Sequence, residues 1–254
     1  MKTAIFITVR TGSTRLKNKA LIEIQSIPTI VHLIRRMKKI DVDNIVLCTT
    51  ILEEDDILCE IAKNEKIDFF RGSVNDKLER WRNAAIKFNI DFFVTADGDD
   101  LFCSKELIDL AVSQYRLSNP DFIESPDVIC GAFTYGINVK ALKKVCNIKN
   151  SEDTEMMWTY FKDTGLFKIH SLRNVPSIFK RADIRMTLDY KDDLNFFTKI
   201  IDHFYKDNKF NFTLYDIVSF LDDNNEIIKI NSYLHDEWRK NQIKNTNLKL
   251  KIPI

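Results

Sequence analysis

The chain has 254 residues, of which 44% are hydrophobic and 30% charged, so it can bury a sizeable core and is not a disordered protein. Its formal charge of +1 argues against a nucleic-acid footprint over the whole surface, and no segment approaches the roughly 20 uninterrupted apolar residues of a membrane helix. The apolar stretch at the amino terminus is also too short for a secretion signal, and we therefore expect a cytoplasmic protein.

The first half of the chain alternates predicted strands with predicted helices. Residues 4–9 are apolar and β-branched, as in a strand buried on both faces, and the apolar spacing after Pro28 predicts an amphipathic helix up to Met37. Further strands are predicted at 44–49, 67–70 and 91–96, and further helices at 53–64, 76–88 and 105–115, the last capped by Ser104. This order predicts a doubly wound α/β fold with a mostly parallel, Rossmann-like sheet.

The second half of the chain is less regular. Strands are predicted at 128–135, 167–172 and 184–188, and helices at 138–145, at 153–162 and directly after Asp189. No Gly, Pro or Ser-rich linker divides the chain, so we expect one domain over 1–235 with an inserted arm near 126–180, followed by a basic tail at 236–254. The arm carries apolar side chains that suit a dimer surface, namely Met156, Met157, Trp158 and Phe161.

The cysteines are scattered along the chain and include no CxxC pair. They stand at Cys48, Cys59, Cys103, Cys130 and Cys146. An odd number without paired spacing favours reduced thiols in the core over a disulfide framework or a zinc site.

A basic loop follows the first predicted strand. Residues 1–39 hold nine Lys or Arg against one acid, a local charge of +8, so we expect an anionic ligand at this end of the chain. The loop at 10–19 suits a nucleoside triphosphate, because Gly12 permits close approach of backbone N–H groups. Arg10 and Arg15 can bind phosphate oxygens bidentately, and Lys19 can act as a point charge. The alternative is a solvated basic loop, and neither a P-loop nor a GxGxxG motif is present.

Aspartates follow two of the predicted strands. Asp97, Asp99 and Asp100 come directly after the strand at 91–96, and Asp189 follows the segment at 184–188. Because ligands bind beyond the carboxyl ends of strands in such sheets, we expect these side chains to face the basic loop. Mg²⁺ is typically held by one or two carboxylates together with substrate phosphates. Asp97, Asp99 and Asp189 are therefore candidate metal ligands, the alternatives being a tight turn for the first two and a helix N-cap for Asp189.

Residues 5–21, IFITVRTGSTRLKNKAL, resemble the opening signature of the cytidylyltransferase family that includes spore-coat polysaccharide synthesis proteins and the CMP-Kdo and CMP-sialate synthetases. The positions that match the family pattern are Arg10, Gly12, Ser13, Arg15, Leu16, Lys19 and Leu21. Lys17 and Asn18 replace the usual Pro-Gly. Later segments resemble the family at Phe70-Arg71-Gly72-Ser73 with Asp76 and Arg80, at 95–100 without the expected proline, and at 184–189, where relatives have their second metal-binding aspartate.

The resemblance implies a GT-A-like fold and a Mg²⁺-dependent enzyme that transfers the nucleotide of CTP to a sugar or sugar acid and releases pyrophosphate, as a homodimer. It implies catalytic roles for Arg10, Lys19 and Asp97. It implies nucleotide contacts at Arg10, Thr11, Gly12, Ser13, Arg15, Lys19, Arg71, Gly72, Ser73, Asp76 and Arg80. Two alternatives stay open: a glycosyltransferase that uses Asp97-Gly98-Asp99 to bind a nucleotide sugar, and a nucleotide-binding homologue without catalysis.

Overall fold

A computed structural model describes residues 1–13, 15–205, 211–244, 246 and 248–251. The strands of this part of the chain are β1 (Thr3–Thr8), β2 (Glu23–Ile24), β3 (Ile27–Pro28), β4 (Asn44–Thr50), β5 (Asp68–Gly72), β6 (Phe92–Asp97), β7 (Phe122–Glu124), β8 (Tyr135–Asn138) and β9 (Ile169–Ser171). The helices are α1 (Thr29–Met37), α2 (Asp56–Asn64), α3 (Lys77–Phe88), α4 (Lys105–Ser118), α5 (Val139–Ile148), α6 (Thr159–Lys162), α7 (Lys191–Tyr205), α8 (Leu214–Asp223), α9 (Asn225–Ile228) and α10 (Leu234–Lys244).

Seven of the strands form one sheet, in the order β5-β4-β1-β6-β8-β7-β9. The β5-β4-β1-β6 portion is parallel throughout, β8 runs antiparallel to both of its neighbours, and β9 is parallel to β7. The short strands β2 and β3 pair separately. The predicted doubly wound, mostly parallel sheet is therefore confirmed.

Helices cover both faces of this sheet. In β1, Ile5 and Ile7 pack into the core shared with α1, α2, α4, α7 and α8, whereas Ala4 and Phe6 pack into the core shared with α3, α5 and α6. This alternation follows from the two-residue period of a strand, and it explains why a strand with two buried faces is almost continuously apolar. Phe6 stacks on Phe93 of β6 with ring centroids 4.2 Å apart, which locks the two central strands on that face.

The elements predicted in the first half are present within a few residues of their expected ends. The Ser104 hydroxyl accepts the Leu107 N–H at 3.3 Å and caps α4 as expected. Residues 53–64 divide into a 3₁₀ turn at Glu53–Asp55 and α2. The local hydrophobic pattern was sufficient here, because strands have a two-residue period and helices a period of about 3.6 residues.

In the second half, the strand predictions at 128–135 and 184–188 are wrong. The sheet strands lie on either side of the first segment, at β7 and at β8, which begins at Tyr135, and the two predicted segments are joined by one bridge between Cys130 and Arg185. Gly131 has a φ of 85°, and a Cβ built there would lie 1.9 Å from the Met186 carbonyl oxygen. A buried turn thus crosses an extended segment, and both are as apolar as strands would be.

The arm also differs from its prediction. Only the last turn of the expected helix at 153–162 is helical, as α6. Met157 and Phe161 are fully buried in the chain's own core, so they do not form the exposed apolar patch that was expected for a dimer surface. Trp158 is half-buried and lies beside Tyr135, with ring centroids 6.5 Å apart. Helix α10 begins at Leu234, two residues before the predicted start of the basic tail, and continues into it.

All five cysteines lie in the described part of the chain and are free thiols, as expected. Burial raises the pKa of Cys48 to about 12, so this thiol stays protonated at neutral pH. Among the described residues no helix combines the length and the apolar character that crossing a membrane requires.

Candidate active site

The basic loop and the aspartate-rich turn leave the same edge of the sheet. Thr8, the last residue of β1, is in register with Asp97, the last residue of β6. The Gly98 N–H donates to the Thr8 carbonyl at 2.8 Å, and a Cβ on Gly98 would lie only 2.7 Å from Cβ of Val9. Glycine therefore lets the turn pack directly against the end of β1, which brings loop and turn together as the sequence predicted.

Lys19 connects the basic loop to two of the predicted carboxylates. Its Nζ lies 2.6 Å from Oδ2 of Asp99 and 2.8 Å from Oδ1 of Asp189. Burial opposes the charge on Lys19, but Asp99 and Asp189 outweigh it and raise the pKa of the ammonium group. Lys19 thus remains a cation, held between an aspartate from each half of the chain.

The backbone before Lys19 takes a conformation that its sequence permits. Asn18 has a left-handed φ of 54°, and a short 3₁₀ turn at Lys19–Leu21 follows it. Asparagine adopts this region more readily than most residues, so Asn18 can stand where the family pattern has glycine. The Lys17-Asn18 departure from the family signature is therefore compatible with a defined loop.

Arg15 is the second cation on Asp189. Its Nη2 lies 2.6 Å from Oδ1 of Asp189, and its guanidinium carbon is 5.6 Å from the centre of the Tyr190 ring. The Asp189 side chain is only 1% exposed, whereas that of Arg15 is 40% exposed. Arg15 can therefore reach a ligand from the solvent side while Asp189 stays fixed.

Asp97 pairs with a lysine that the sequence analysis missed. Nζ of Lys77, from the first turn of α3, lies 3.0 Å from Oδ1 of Asp97 and 5.1 Å from the centre of the Trp81 ring. Burial raises the pKa of Asp97, as does the neighbouring charge of Asp99, and Lys77 only partly offsets them. The sequence predicted Lys77 to be at the start of the helix at 76–88, and nothing in its spacing indicated that it faces the sheet edge.

The carboxylates of the turn crowd one another. Asp100 is 7% exposed, and burial together with Asp99 and Asp97 raises the pKa of Asp100 well above its ordinary value. The Thr134 hydroxyl donates to Oδ2 of Asp100 at 3.4 Å. Carboxylates that repel one another in this way can offer hard oxygen ligands to a cation, whose charge would reduce the repulsion.

A second missed residue, Glu155, brings a carboxylate from the arm to the basic loop. Its Oε2 lies 3.9 Å from Nη2 of Arg10. Lys77 lowers the pKa of Glu155 most, burial opposes this, and Arg10 and Arg80 add to the lowering. The residue before it, Thr154, is 1% exposed and donates its hydroxyl to Asp76 at 3.0 Å. Glu155 is thereby held among cations that the sequence assigned to the nucleotide.

Thr11 anchors the basic loop. Its N–H and its hydroxyl both donate to Oδ1 of Asp55, at 2.7 and 2.8 Å, and all three groups are buried. Gly12 and Ser13 lie beyond this anchor at the more exposed tip of the loop. The Thr11 hydroxyl is thus occupied by Asp55, while the tip keeps its access to a ligand.

The predicted nucleotide contacts at the end of β5 are engaged within the protein. Arg71 donates to the carbonyls of Thr50 and Leu52 at 3.0 and 2.8 Å. Gly72 is tightly packed, because a Cβ there would lie 2.9 Å from the Phe70 ring. The roles of this segment in nucleotide binding stay predictions.

Asp76 and Arg80 support the start of α3. The Asp76 side chain accepts the Glu79 N–H at 3.0 Å and pairs with Lys149, so it caps the helix. Nη1 of Arg80 donates to the Ser73 carbonyl at 2.6 Å. Burial lowers the pKa of Arg80, and its Nε has no hydrogen-bond partner among the described residues. Their contacts with a nucleotide are likewise still predictions.

The three predicted metal ligands lie in one cluster but pair with different cations. Asp97 contacts Lys77, whereas Asp99 and Asp189 share Lys19. Within the described ranges no group of three or more His, Cys, Asp or Glu side chains is arranged so that it could hold a metal ion by itself. A metal at this site would be held by one or two of these carboxylates and would take its other ligands from water or from a bound substrate.

Comparison with known proteins identifies the family. Residues 4–215 match the family model described as Cytidylyltransferase. The chain belongs to this cytidylyltransferase family. The predicted resemblance is confirmed, and so is the prediction of a nucleotidyltransferase enzyme rather than a glycosyltransferase.

Three relatives of this cytidylyltransferase indicate how far the similarity extends. An uncharacterized protein of Methanocaldococcus jannaschii is 34% identical over 235 residues, covering 91% of this chain and 95% of that protein. The spore coat polysaccharide biosynthesis protein SpsF of Bacillus subtilis is 28% identical over 198 residues, covering 74% and 81%. The structure of a cytidylyltransferase from Leptospira borgpetersenii serovar Hardjo-bovis is 26% identical, with a TM-score of 0.81, and covers 90% of this chain and 97% of that chain.

Proposed function

We propose that this cytidylyltransferase uses CTP to activate a sugar or sugar acid, with release of pyrophosphate, for the synthesis of a surface polysaccharide. The family supports the nucleotide, and the name of SpsF supports the pathway class. The observation that carries the proposal is the meeting of Lys19, Asp99 and Asp189 at the edge where β1 and β6 end. Cations for a triphosphate and carboxylates for a metal are adjacent there, which is what nucleotidyl transfer requires.

The basic loop would bind the triphosphate. Arg10 and Arg15 are 45% and 40% exposed at their side chains, so their guanidinium groups can engage phosphate oxygens bidentately. The backbone N–H of Gly12 at the loop tip would add a further donor, whereas the Ser13 N–H donates to the Thr11 carbonyl at 2.7 Å. Lys19 would place its charge next to the reacting phosphate, where the developing negative charge is stabilised.

The acidic cluster would hold Mg²⁺. Asp97 and Asp189 are the proposed ligands, with Asp99 as a third carboxylate, because hard carboxylate oxygens suit this ion and it needs only one or two of them beside phosphate. Burial and the neighbouring charge of Asp99 raise the pKa of Asp97, so a bound cation would stabilise the ionised form of this carboxylate. When bound, the metal would neutralise charge on the phosphates and orient them for in-line attack.

The proposal includes a homodimer, a cytoplasmic location and no nucleic-acid partner. The division into one domain over 1–235, an arm near 126–180 and a basic tail at 236–254 also remains a prediction. Burial of Met157 and Phe161 leaves Met156 and Trp158 as the partly exposed apolar side chains of the original patch. Sedimentation of the purified protein measures the oligomeric state directly.

The reaction is tested by pyrophosphate release from CTP, UTP, GTP and ATP with Mg²⁺ and a pool of acidic sugars and sugar phosphates. We expect release with CTP, its loss on chelation of the metal, and its loss in Asp97→Asn. Asp109→Asn is the matched control, because Asp109 is an exposed carboxylate of α4 that pairs with Lys105. Absence of release with every nucleotide, under conditions where CTP binds, would support the non-catalytic alternative.

A further inference from the structure

Asp189 is attached to a segment that the fold holds from two sides. The Leu188 N–H donates to the Asp99 carbonyl at 2.9 Å, and the Met186 N–H donates to the Cys130 carbonyl at 2.8 Å. The first contact places the backbone of Asp189 beside the turn after β6. It does not determine where the carboxylate of Asp189 points.

A second carboxylate, that of Asp193, lies directly behind Asp189. Asp193 stands in the first turn of α7 and is 0% exposed. Its Oδ2 accepts the N–H groups of Asp189 and Tyr190, both at 2.9 Å. Its Oδ1 accepts Nε of Arg185 at 3.0 Å and Nδ2 of Asn231 at 2.9 Å. One buried side chain therefore joins the backbone of Asp189, a buried arginine and the segment after α9.

Arg185 lies between the two carboxylates. Its Nη2 is 3.3 Å from Oδ2 of Asp193 and 3.4 Å from Oδ2 of Asp189, and its side chain is 1% exposed. Oδ1 of Asp189 is directed to the other side, where it contacts Lys19 and Arg15. The two oxygens of Asp189 thus face different partners, the buried arginine on one side and the basic loop on the other.

The charges of this network explain the arrangement. A buried guanidinium is stable only when a carboxylate compensates it, and Asp193 provides the closer contacts. If the charge of Asp193 were removed, the charged carboxylate that remains in contact with Arg185 would be that of Asp189. Asp189 would then turn away from Lys19 and Arg15 and lose its orientation toward the sheet edge.

We propose that Asp193 is a positioning residue, which holds Arg185 so that Asp189 presents its carboxylate to the metal and the triphosphate. This inference rests on the proposed function, because Asp189 must be a ligand of the site for its orientation to matter. Side chains that orient metal ligands in this way typically change metal affinity by about 10- to 100-fold when they are replaced.

Asp193→Asn tests the inference by two binding measurements, of which only the first is expected to show weaker binding. Mn²⁺ alone, titrated and followed by electron paramagnetic resonance, should bind at least about tenfold more weakly than to the wild type. Tripolyphosphate without metal should bind at least as tightly as to the wild type, because Lys19 and Arg15 are released from Asp189. A parallel loss of both affinities, in a variant that circular dichroism shows to be folded, would overturn the proposal.

Asp192→Asn is the matched control, because Asp192 is in the same turn of α7 and its carboxylate contacts Tyr233 at the surface. It should leave both affinities within about twofold of the wild type, because surface substitutions that touch no ligand have small effects. Mn²⁺ affinity that is unchanged in Asp193→Asn would also overturn the proposal.

A second pair of variants covers the case in which Asp193→Asn does not fold. The double variant Arg185→Met with Asp193→Asn removes both buried charges, a change that proteins often tolerate, and it should return Mn²⁺ affinity to near the wild-type value. Asn231→Ala removes only the hydrogen bonds to Asp193 and to the Arg185 carbonyl, at 2.9 and 3.1 Å, and should weaken Mn²⁺ binding several-fold. If neither variant behaves in this way, Asp193 is not a positioning residue.

The wild-type protein separates this inference from the proposed function. Wild-type protein that binds neither tripolyphosphate nor Mn²⁺ would contradict the proposed function itself. Wild-type protein that binds tripolyphosphate but not Mn²⁺ would overturn the metal role of Asp189 and with it the role of Asp193. Normal wild-type binding of both, with unchanged Asp193→Asn, would overturn the positioning role alone.

Discussion

Lys19 and Asp189 are 170 positions apart in the sequence and form an ion pair of 2.8 Å in the structure. The pair joins the loop after the first strand to the segment before α7, so it connects the two halves of the candidate site. Lys19 also contacts Asp99 at 2.6 Å. A single lysine therefore holds two of the three proposed metal-binding carboxylates close together.

Replacement of Lys19 should reduce catalysis strongly. Lys19→Ala removes the cation closest to Asp99 and Asp189, and we expect pyrophosphate release to fall by about 100-fold or more, as when one stabilising group of a transition state is lost. Lys17→Ala is the control, because Lys17 is exposed on the same loop. Equal activity of the two variants would remove Lys19 from the proposed mechanism.

The pair of Lys77 and Asp97 should be measurable as a coupling in stability. Lys77→Met leaves Asp97 without its partner at 3.0 Å and should lower the free energy of unfolding by up to roughly 3 kcal/mol, the lower end for a buried pair because Asp97 is 28% exposed. The double variant with Asp97→Asn should recover part of this loss. Urea denaturation of the four proteins of the cycle gives the coupling, and additive effects would show that the contact is energetically unimportant.

Asp100 should make the protein less stable as the pH rises. Its folded-state pKa is raised above the ordinary value of 3.8 by burial, Asp99 and Asp97, so the native state binds this proton more tightly than the unfolded state. Stability from this group is present below pH 3.8 and is lost as the pH rises toward the raised pKa. Asp100→Asn should therefore exceed the wild type in free energy of unfolding at pH 8 and converge with it near pH 4.

The measurement for Asp100 is chemical denaturation between pH 4 and pH 8, at constant ionic strength. Asp109→Asn should show a nearly constant difference over this range, because its carboxylate is exposed and its ion pair with Lys105 lies on the surface. A difference between Asp100→Asn and wild type that does not change with pH would contradict the raised pKa.

A side chain at position 98 should be tolerated better when the side chain of Val9 is made smaller. Gly98→Ala places a Cβ 2.7 Å from Cβ of Val9, and we expect a loss of about 1–3 kcal/mol in the free energy of unfolding together with lower activity. The double variant with Val9→Ala keeps the Val9 Cβ but removes the methyl group at 2.8 Å, so it should recover part of both. No recovery would indicate that the contacts left in the double variant, with Cβ of Val9 at 2.7 Å and the Thr8 carbonyl oxygen at 3.2 Å, are the ones that matter.

The sequence was sufficient for the α/β alternation and for the meeting of loop and turn, because strand and helix periods are local and parallel strands end at one edge. It was not sufficient for Lys77, whose direction depends on how α3 is rotated against the sheet. It also missed Glu155, which was predicted to be in a helix. The residue before it, Thr154, is hydrogen-bonded to Asp76, the N-cap of α3, and a contact so distant in sequence has no local signal. The buried turn around Gly131 was mistaken for a strand because hydrophobicity reports burial, whatever the backbone conformation.

The antiparallel pairing of β6 with β8 has a consequence during synthesis on the ribosome. When the first 118 residues have emerged, β6 can pair with β1, but its other edge has no partner until Tyr135–Asn138 has left the exit tunnel. The strand that ends in Asp97 is then the open edge of a nascent sheet, and such edges recruit other chains. The strand that ends in Asp97 is thus protected from aggregation only when the second half of the chain has been synthesised.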